Sequence, residues 1–187
     1  MQYSRSWRLL HWLIALCVIA LVPVGLLIEA RTEANLWDRT TDILYGLHKT
    51  LGFSVLVLML LRIGCKLWLQ APAYPDTLSR RQILAAKSLH HLFYVLLILV
   101  PLLGWAGVTA FPALMIIPGV ELPPMPGIPR DPVLAERLFG VHGAFALLLA
   151  LLALGHIVAA LWHRFVLHDE VFQRMGFRHL SDKEHKS

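Results

Sequence analysis

No aspartate or glutamate falls inside any of the four long apolar runs of this chain, at residues 9–28, 47–69, 89–110 and 138–162. Charged residues make up only 16% of its 187 positions, against roughly a quarter in a soluble domain. The shortage is gathered in those runs rather than spread evenly, and it excludes a separate water-soluble domain. Cysteine is equally scarce. Cys17 and Cys65 are the only two, both lie in apolar runs, and no Cys-x-x-Cys-His stretch exists. Covalent c-type haem attachment is thereby excluded, and two lone cysteines in such positions read as small hydrophobes. There is no internal repeat and no low-complexity tract. The first run is too long for the apolar part of an ordinary signal peptide, and no clean small-x-small site follows it, so it is read as a retained helix. No nucleophile is singled out, and no nucleic-acid partner is expected.

What the chain has instead is hydrophobic length. About 20 mostly apolar residues carry a helix across the hydrocarbon core, and each run meets that need. The expected fold is all-α, an integral membrane four-helix bundle in the lipid bilayer. It forms a single membrane domain over 1–187, with helices at about 7–29, 45–69, 83–110 and 134–166. Lys and Arg set the orientation. Twelve lie in the N-terminal tail, the segment closing the second helix and opening the third, and the C-terminal tail. Five lie on the other side: Arg31, Arg39, Lys49, Arg130 and Arg137. Both termini are therefore expected in the cytoplasm. The second external loop, 111–137, carries Pro112, Pro118, Pro123, Pro124, Pro126, Pro129 and Pro132, a density that forbids continuous helix. Its apolar stretch 114–120 is expected to lie against the membrane surface or to cap the bundle. The last dozen residues read as frayed.

Ten histidines is a high count for this length, and most lie in or at the ends of the spans. Ionisable residues in a membrane span are costly and as a rule face the interior with a function. His142 and His156 are 14 residues apart, nearly four whole turns, so they share one face about 21 Å apart along the axis. Topology puts His48 at the outer level with His142, and His11 at the inner level with His156. Four histidines thus make two pairs, one near each membrane face. Such pairs suit six-coordinate haem, with a histidine on each side of the iron and no open position for oxygen. The expected cofactors are two haems b between the helices, with His11 and His156 ligating the inner one and His48 and His142 the outer. Gly25 and Gly52 fall where a macrocycle needs small neighbours, though close helix packing explains them equally well. Metal-ion transport is the competing reading of intramembrane histidines. It is disfavoured by the lack of carboxylates in the spans and by the placing of the pairs near the two faces.

These residues sit in recognisable stretches: LLHWLIAL with His11 and Trp12, LHKTLGFSVLVLMLLRIGCKL with His48 and Arg62, LHHLFYVLLILVPLLGW with His90 and the Pro101–Gly104 run, and VHGAFALLLALLALGHIVAALWHRFV with His142, His156 and His163. Together they resemble the bacterial cytochrome b561 family over nearly the whole chain. The resemblance implies a bacterial inner-membrane location and the same four haem ligands. It also implies quinone chemistry, with ubiquinone as electron acceptor. Relatives of this size include a superoxide oxidase, so superoxide is the implied small outer-side donor. The outer side sums to five basic against seven acidic residues. A collector of that anion needs local positive charge, for which Lys49, Arg130 and Arg137 are the candidates. They are equally well read as interfacial residues or propionate partners.

On the inner side Arg62 follows His48 by 14 residues and His163 follows His156 by seven, so both fall on ligand faces. His90 and His91 open the third helix at the same side. His163, Arg62, His90 and His91 are the candidates for contacting quinone or a haem propionate, since histidine both donates hydrogen bonds and shuttles protons. Two functions are carried forward: a superoxide:quinone oxidoreductase, and a non-enzymatic electron carrier or cytochrome b anchor subunit of a dehydrogenase or reductase.

Overall fold

A computed structural model describes residues 3–69, 72–74, 78–169 and 171–176. Four helices dominate it: α1 (Arg5–Glu33), α2 (Arg39–Trp68), α3 (Arg80–Ala110) and α4 (Pro132–Phe165). All four are long and apolar enough to cross a membrane. A small antiparallel hairpin, β1 (Met115–Ile117) with β2 (Val120–Glu121), lies between α3 and α4, and a short 3-10 turn, Phe172–Arg174, follows α4.

The helices start outside the apolar runs because polar caps define their first turns. Ser4, Asp38, Ser79 and Asp131 each accept a backbone N–H of the turn that follows, and Ser79 forms a reciprocal capping box with Gln82. Such acceptors satisfy N–H groups that have no intrahelical partner. Pro132 opens α4, where its missing N–H costs nothing.

The bundle has two cores. Ile14, Val55 and Met59 join α1, α2 and α3, with Cys17, Leu58 and Tyr94 packed around them. Leu96, Val100 and Leu149 join α3 to α4, with Phe93 and Phe145 alongside. Most other large apolar side chains, such as Leu16, Ile19, Leu60 and Leu154, are exposed, as lipid-facing residues of a membrane bundle must be. The packing is uneven. α1 lies along α2, α2 against α3, and α3 against α4, but α1 barely meets α4. Among the described residues no Cα of α2 comes within 8 Å of one in α4. Nor, among these residues, does any Cα of α1 come within 8 Å of one in α3, so the α1–α4 side is the loosest side of the bundle.

Each end is closed by irregular chain. At one end the Pro-rich loop folds over α2 and α3. The Lys49 ammonium donates to the carbonyls of Ala113 and Met115, Trp105 Nε1 donates to Pro123 O at 2.8 Å, and Met125 N donates to Thr109 Oγ1 at 3.0 Å. The Ile116 carbonyl presses on Gly46, where a Cβ would collide with it. At the other end, termed inner because the first and last described stretches meet there, Arg174 is buried. Its Nη2 donates to Pro72 O at 3.0 Å and Ala73 O at 2.6 Å, and its guanidinium lies over the Tyr3 ring. Trp12 Nε1 donates to Met175 O and Arg8 Nη1 to Gly176 O, tying the first turns of α1 to the same segment.

Candidate haem sites

Histidines link α4 to α2 and to α1 at two levels. His48 of α2 and His142 of α4 hold their ring centres 6.0 Å apart, with planes at 74°. His11 of α1 and His156 of α4 stand 6.3 Å apart at 78°. Two imidazoles bound to opposite sides of one metal, each nitrogen about 2 Å from it, have ring centres roughly 6 Å apart. Both pairs meet that spacing, and a steep interplanar angle is compatible with it, because each ring plane can contain the shared axis at any twist.

Local structure fits the same purpose. His142 Nδ1 lies 2.9 Å from the carbonyl of Val100. A carbonyl only accepts, so Nδ1 carries the proton and Nε2 keeps the lone pair a metal needs. The approach depends on Gly104, one turn beyond Val100 on α3. A Cβ there would stand 3.1 Å from His142 Cε1 and 3.2 Å from Nδ1. Gly25 of α1 does the same for His48, with a Cβ 3.3 Å from its Cε1. His48 Nδ1 is buried and, among the described residues, has no hydrogen-bond partner. Gly52 faces open space.

The inner level is more crowded. His90 of α3 approaches His156 at 5.9 Å between ring centres, and Phe93 at 5.6 Å. Arg62 lies close enough to His11 and His90 to act on both electrostatically. Its Nε donates to the Tyr94 hydroxyl at 3.2 Å, while its Nη1 is buried without a partner among the described residues. Lys66 adds its ammonium over the Tyr94 ring at 4.9 Å. An unpaired guanidinium N–H beside a histidine pair is what a haem propionate or a quinone oxygen would satisfy.

The remaining candidates divide by position. His91 is exposed, as are Arg130 and Arg137. Lys49 follows His48 but spends its ammonium on the hairpin carbonyls. His163 is mostly buried, with Nδ1 2.5 Å from Asp169 Oδ2. Burial raises the pKa of Asp169, but the hydrogen bonds from His163 and the Val171 N–H outweigh it and hold the carboxyl below its usual range.

Sequence reasoning did not find Val100, Asp169 or the Arg174 clasp. A backbone carbonyl has no signature in the residue alphabet. In the sequence Asp169 and Arg174 are charges of the C-terminal segment with no motif around them. Gly104 closes the Pro101–Gly104 run, yet nothing in the string says that it faces His142.

A family model described as prokaryotic cytochrome b561 matches residues 2–178. A protein named cytochrome b562, from Cereibacter sphaeroides, is 32% identical over 177 residues, covering 92% of this chain and 94% of that one. Among the described residues no group of three or more His, Cys, Asp or Glu is placed to hold a metal ion.

Proposed function

The chain belongs to the prokaryotic cytochrome b561 family, whose members transfer electrons on haem b in the membrane, and from that premise we propose that it binds two haems, takes electrons from superoxide at the outer end and gives them to ubiquinone at the inner end. The observation that carries the reading is the repeated histidine pair, 6.0 Å between α2 and α4 at one level and 6.3 Å between α1 and α4 at the other, each joining α4 to a helix it scarcely meets or does not meet among the described residues. In this reading His48 and His142 hold the outer haem and His11 and His156 the inner. Haem b, when bound, would supply a one-electron carrier at each level.

The residues around it do the rest. Val100 O sets the tautomer of His142, and Gly104 and Gly25 let the rings of His142 and His48 pack close to α3 and α1. Arg62 offers its unpaired Nη1 to a propionate or a quinone oxygen. Lys49, Arg130 and Arg137 supply positive charge at the outer end, which raises the encounter rate of a small anion. The net reaction balances as two superoxide ions giving two dioxygen molecules and two electrons, with one quinone taking those electrons and two protons. In this reading both termini lie on the cytoplasmic side of the bacterial inner membrane, which the uneven split of Lys and Arg supports.

The experiment is an absorption spectrum with haem quantification on the purified protein, followed by superoxide addition with ubiquinone present. About two haems per chain and superoxide-dependent quinol formation are expected. Haem reduction without quinol formation favours the carrier reading. A single haem would overturn the two-site assignment.

A further inference from the structure

The turn after α4 is built at a cost. His168 sits at φ 49, the left-handed region that a residue with a side chain seldom adopts. Asp169 N then donates back to the His163 carbonyl at 3.2 Å. The result swings the Asp169 side chain under the last turn of α4, where one carboxylate oxygen meets His163 Nδ1 at 2.5 Å and the other accepts the Val171 N–H at 3.0 Å. Both side chains are largely covered, at 17% and 12% exposure.

Helix capping does not explain this arrangement. The last turn of a helix has spare carbonyls, which need donors, and its dipole end is negative. A carboxylate there is the wrong group for the helix. It is the right group for an imidazole that has to stay in one tautomer and to carry positive charge part of the time. With Nδ1–H held by Asp169, Nε2 is the ring nitrogen left to meet a ligand.

We propose that Asp169 is the positioning residue of His163, holding it as the group that hands protons from the inner aqueous phase to the quinone through Nε2. The proposal rests on the quinone reading above and deepens it. Each quinone receives two electrons from the donor side and two protons, delivered one at a time from Nε2. His163 regains each proton from water, Asp169 stays ionised throughout, and no bond to the protein forms.

The test uses the full chain in lipid vesicles containing ubiquinone, with superoxide as donor. H163A, D169N and D169E are compared for haem content, donor-driven haem reduction, kcat and KM for quinone, and solvent deuterium isotope effect. H163A and D169N are expected to keep both haems and full haem reduction. Their kcat for quinone should fall roughly 100-fold or more with little change in KM, and their isotope effect should rise. D169E should recover most of the rate. A D169N protein with unchanged kcat beside a slow H163A protein would overturn the proposal and leave His163 at the quinone. Haem loss or failed assembly in D169N would also overturn it, because Asp169 would then be a structural strap. If H163A itself is unaffected, or unsubstituted protein makes no quinol, the quinone reading fails first.

Discussion

Gly104 and His142 are so close that a Cβ on the glycine would lie 3.1 Å from the imidazole Cε1. The contact is tight because the ring has moved in far enough for Nδ1 to reach the Val100 carbonyl, 42 positions away in the chain. One missing methyl on α3 thus sets both the position and the tautomer of a residue on α4.

Substitution of Gly104 should therefore act on one haem. Gly104→Ala is expected to stretch the His142–Val100 bond and move the outer potential while haem remains. Gly104→Val should push the ring away and lower outer haem content, at about 1–3 kcal/mol of overpacking. Haem-to-protein ratios and a redox titration check this. Equal loss from both levels would contradict it.

Ligand substitutions should separate by level. His48→Ala or His142→Ala is expected to remove about half the haem and spare the inner signal, and His156→Ala or His11→Ala should do the reverse. Low-temperature spectra resolve the two contributions. If His48→Ala and His11→Ala emptied the same site, the pairing would be wrong.

Lys49 is expected to matter as a tether as well as a charge. Its ammonium donates to Ala113 and Met115, so Lys49→Met should leave two carbonyls unpaired and free the hairpin, at about 1–3 kcal/mol. A melting temperature lower by a few degrees and faster proteolysis within 111–131 are the readouts. A melting point and digestion pattern identical to the unsubstituted protein would show that other contacts hold the loop.

Asp38 gives a pH dependence with a definite sign. The Thr41 N–H and then Arg31 hold its carboxyl below the ordinary value. A depressed folded-state pKa contributes stability that is present above the unfolded value and is lost as pH falls through the folded one. The stability gap between the unsubstituted protein and Asp38→Asn should be open at neutral pH and close on acidification below about pH 4. It should also shrink with salt, since the site is exposed. A gap that widened in acid would reverse the assignment.

The two ends of the molecule differ in how far they could be read. The pairing of His11 with His156 and of His48 with His142 was legible because helical period and bilayer thickness are one-dimensional quantities, countable along a string. The outer loop was legible as a cap or a surface layer from its prolines and from 114–120. Its hairpin was not, because two and three residues are too short a signal for strands. His90 could be placed at the inner end, but only the approach of α3 to α4 sets it 5.9 Å from His156 while His91 turns outward.

By itself, then, the sequence determined four membrane spans, two levels of paired histidines and a family. Hydrophobic length and 3.6-residue spacing are properties of each segment alone. The tertiary structure decided which atoms those histidines leave available. His142 Nδ1 is taken by Val100, His163 Nδ1 by Asp169, and Arg174 closes on Pro72 across 102 positions. The first and last of these contacts depend on which helices adjoin and how their caps close, and the His163–Asp169 contact on a turn that reverses at His168. No periodicity within a segment encodes either.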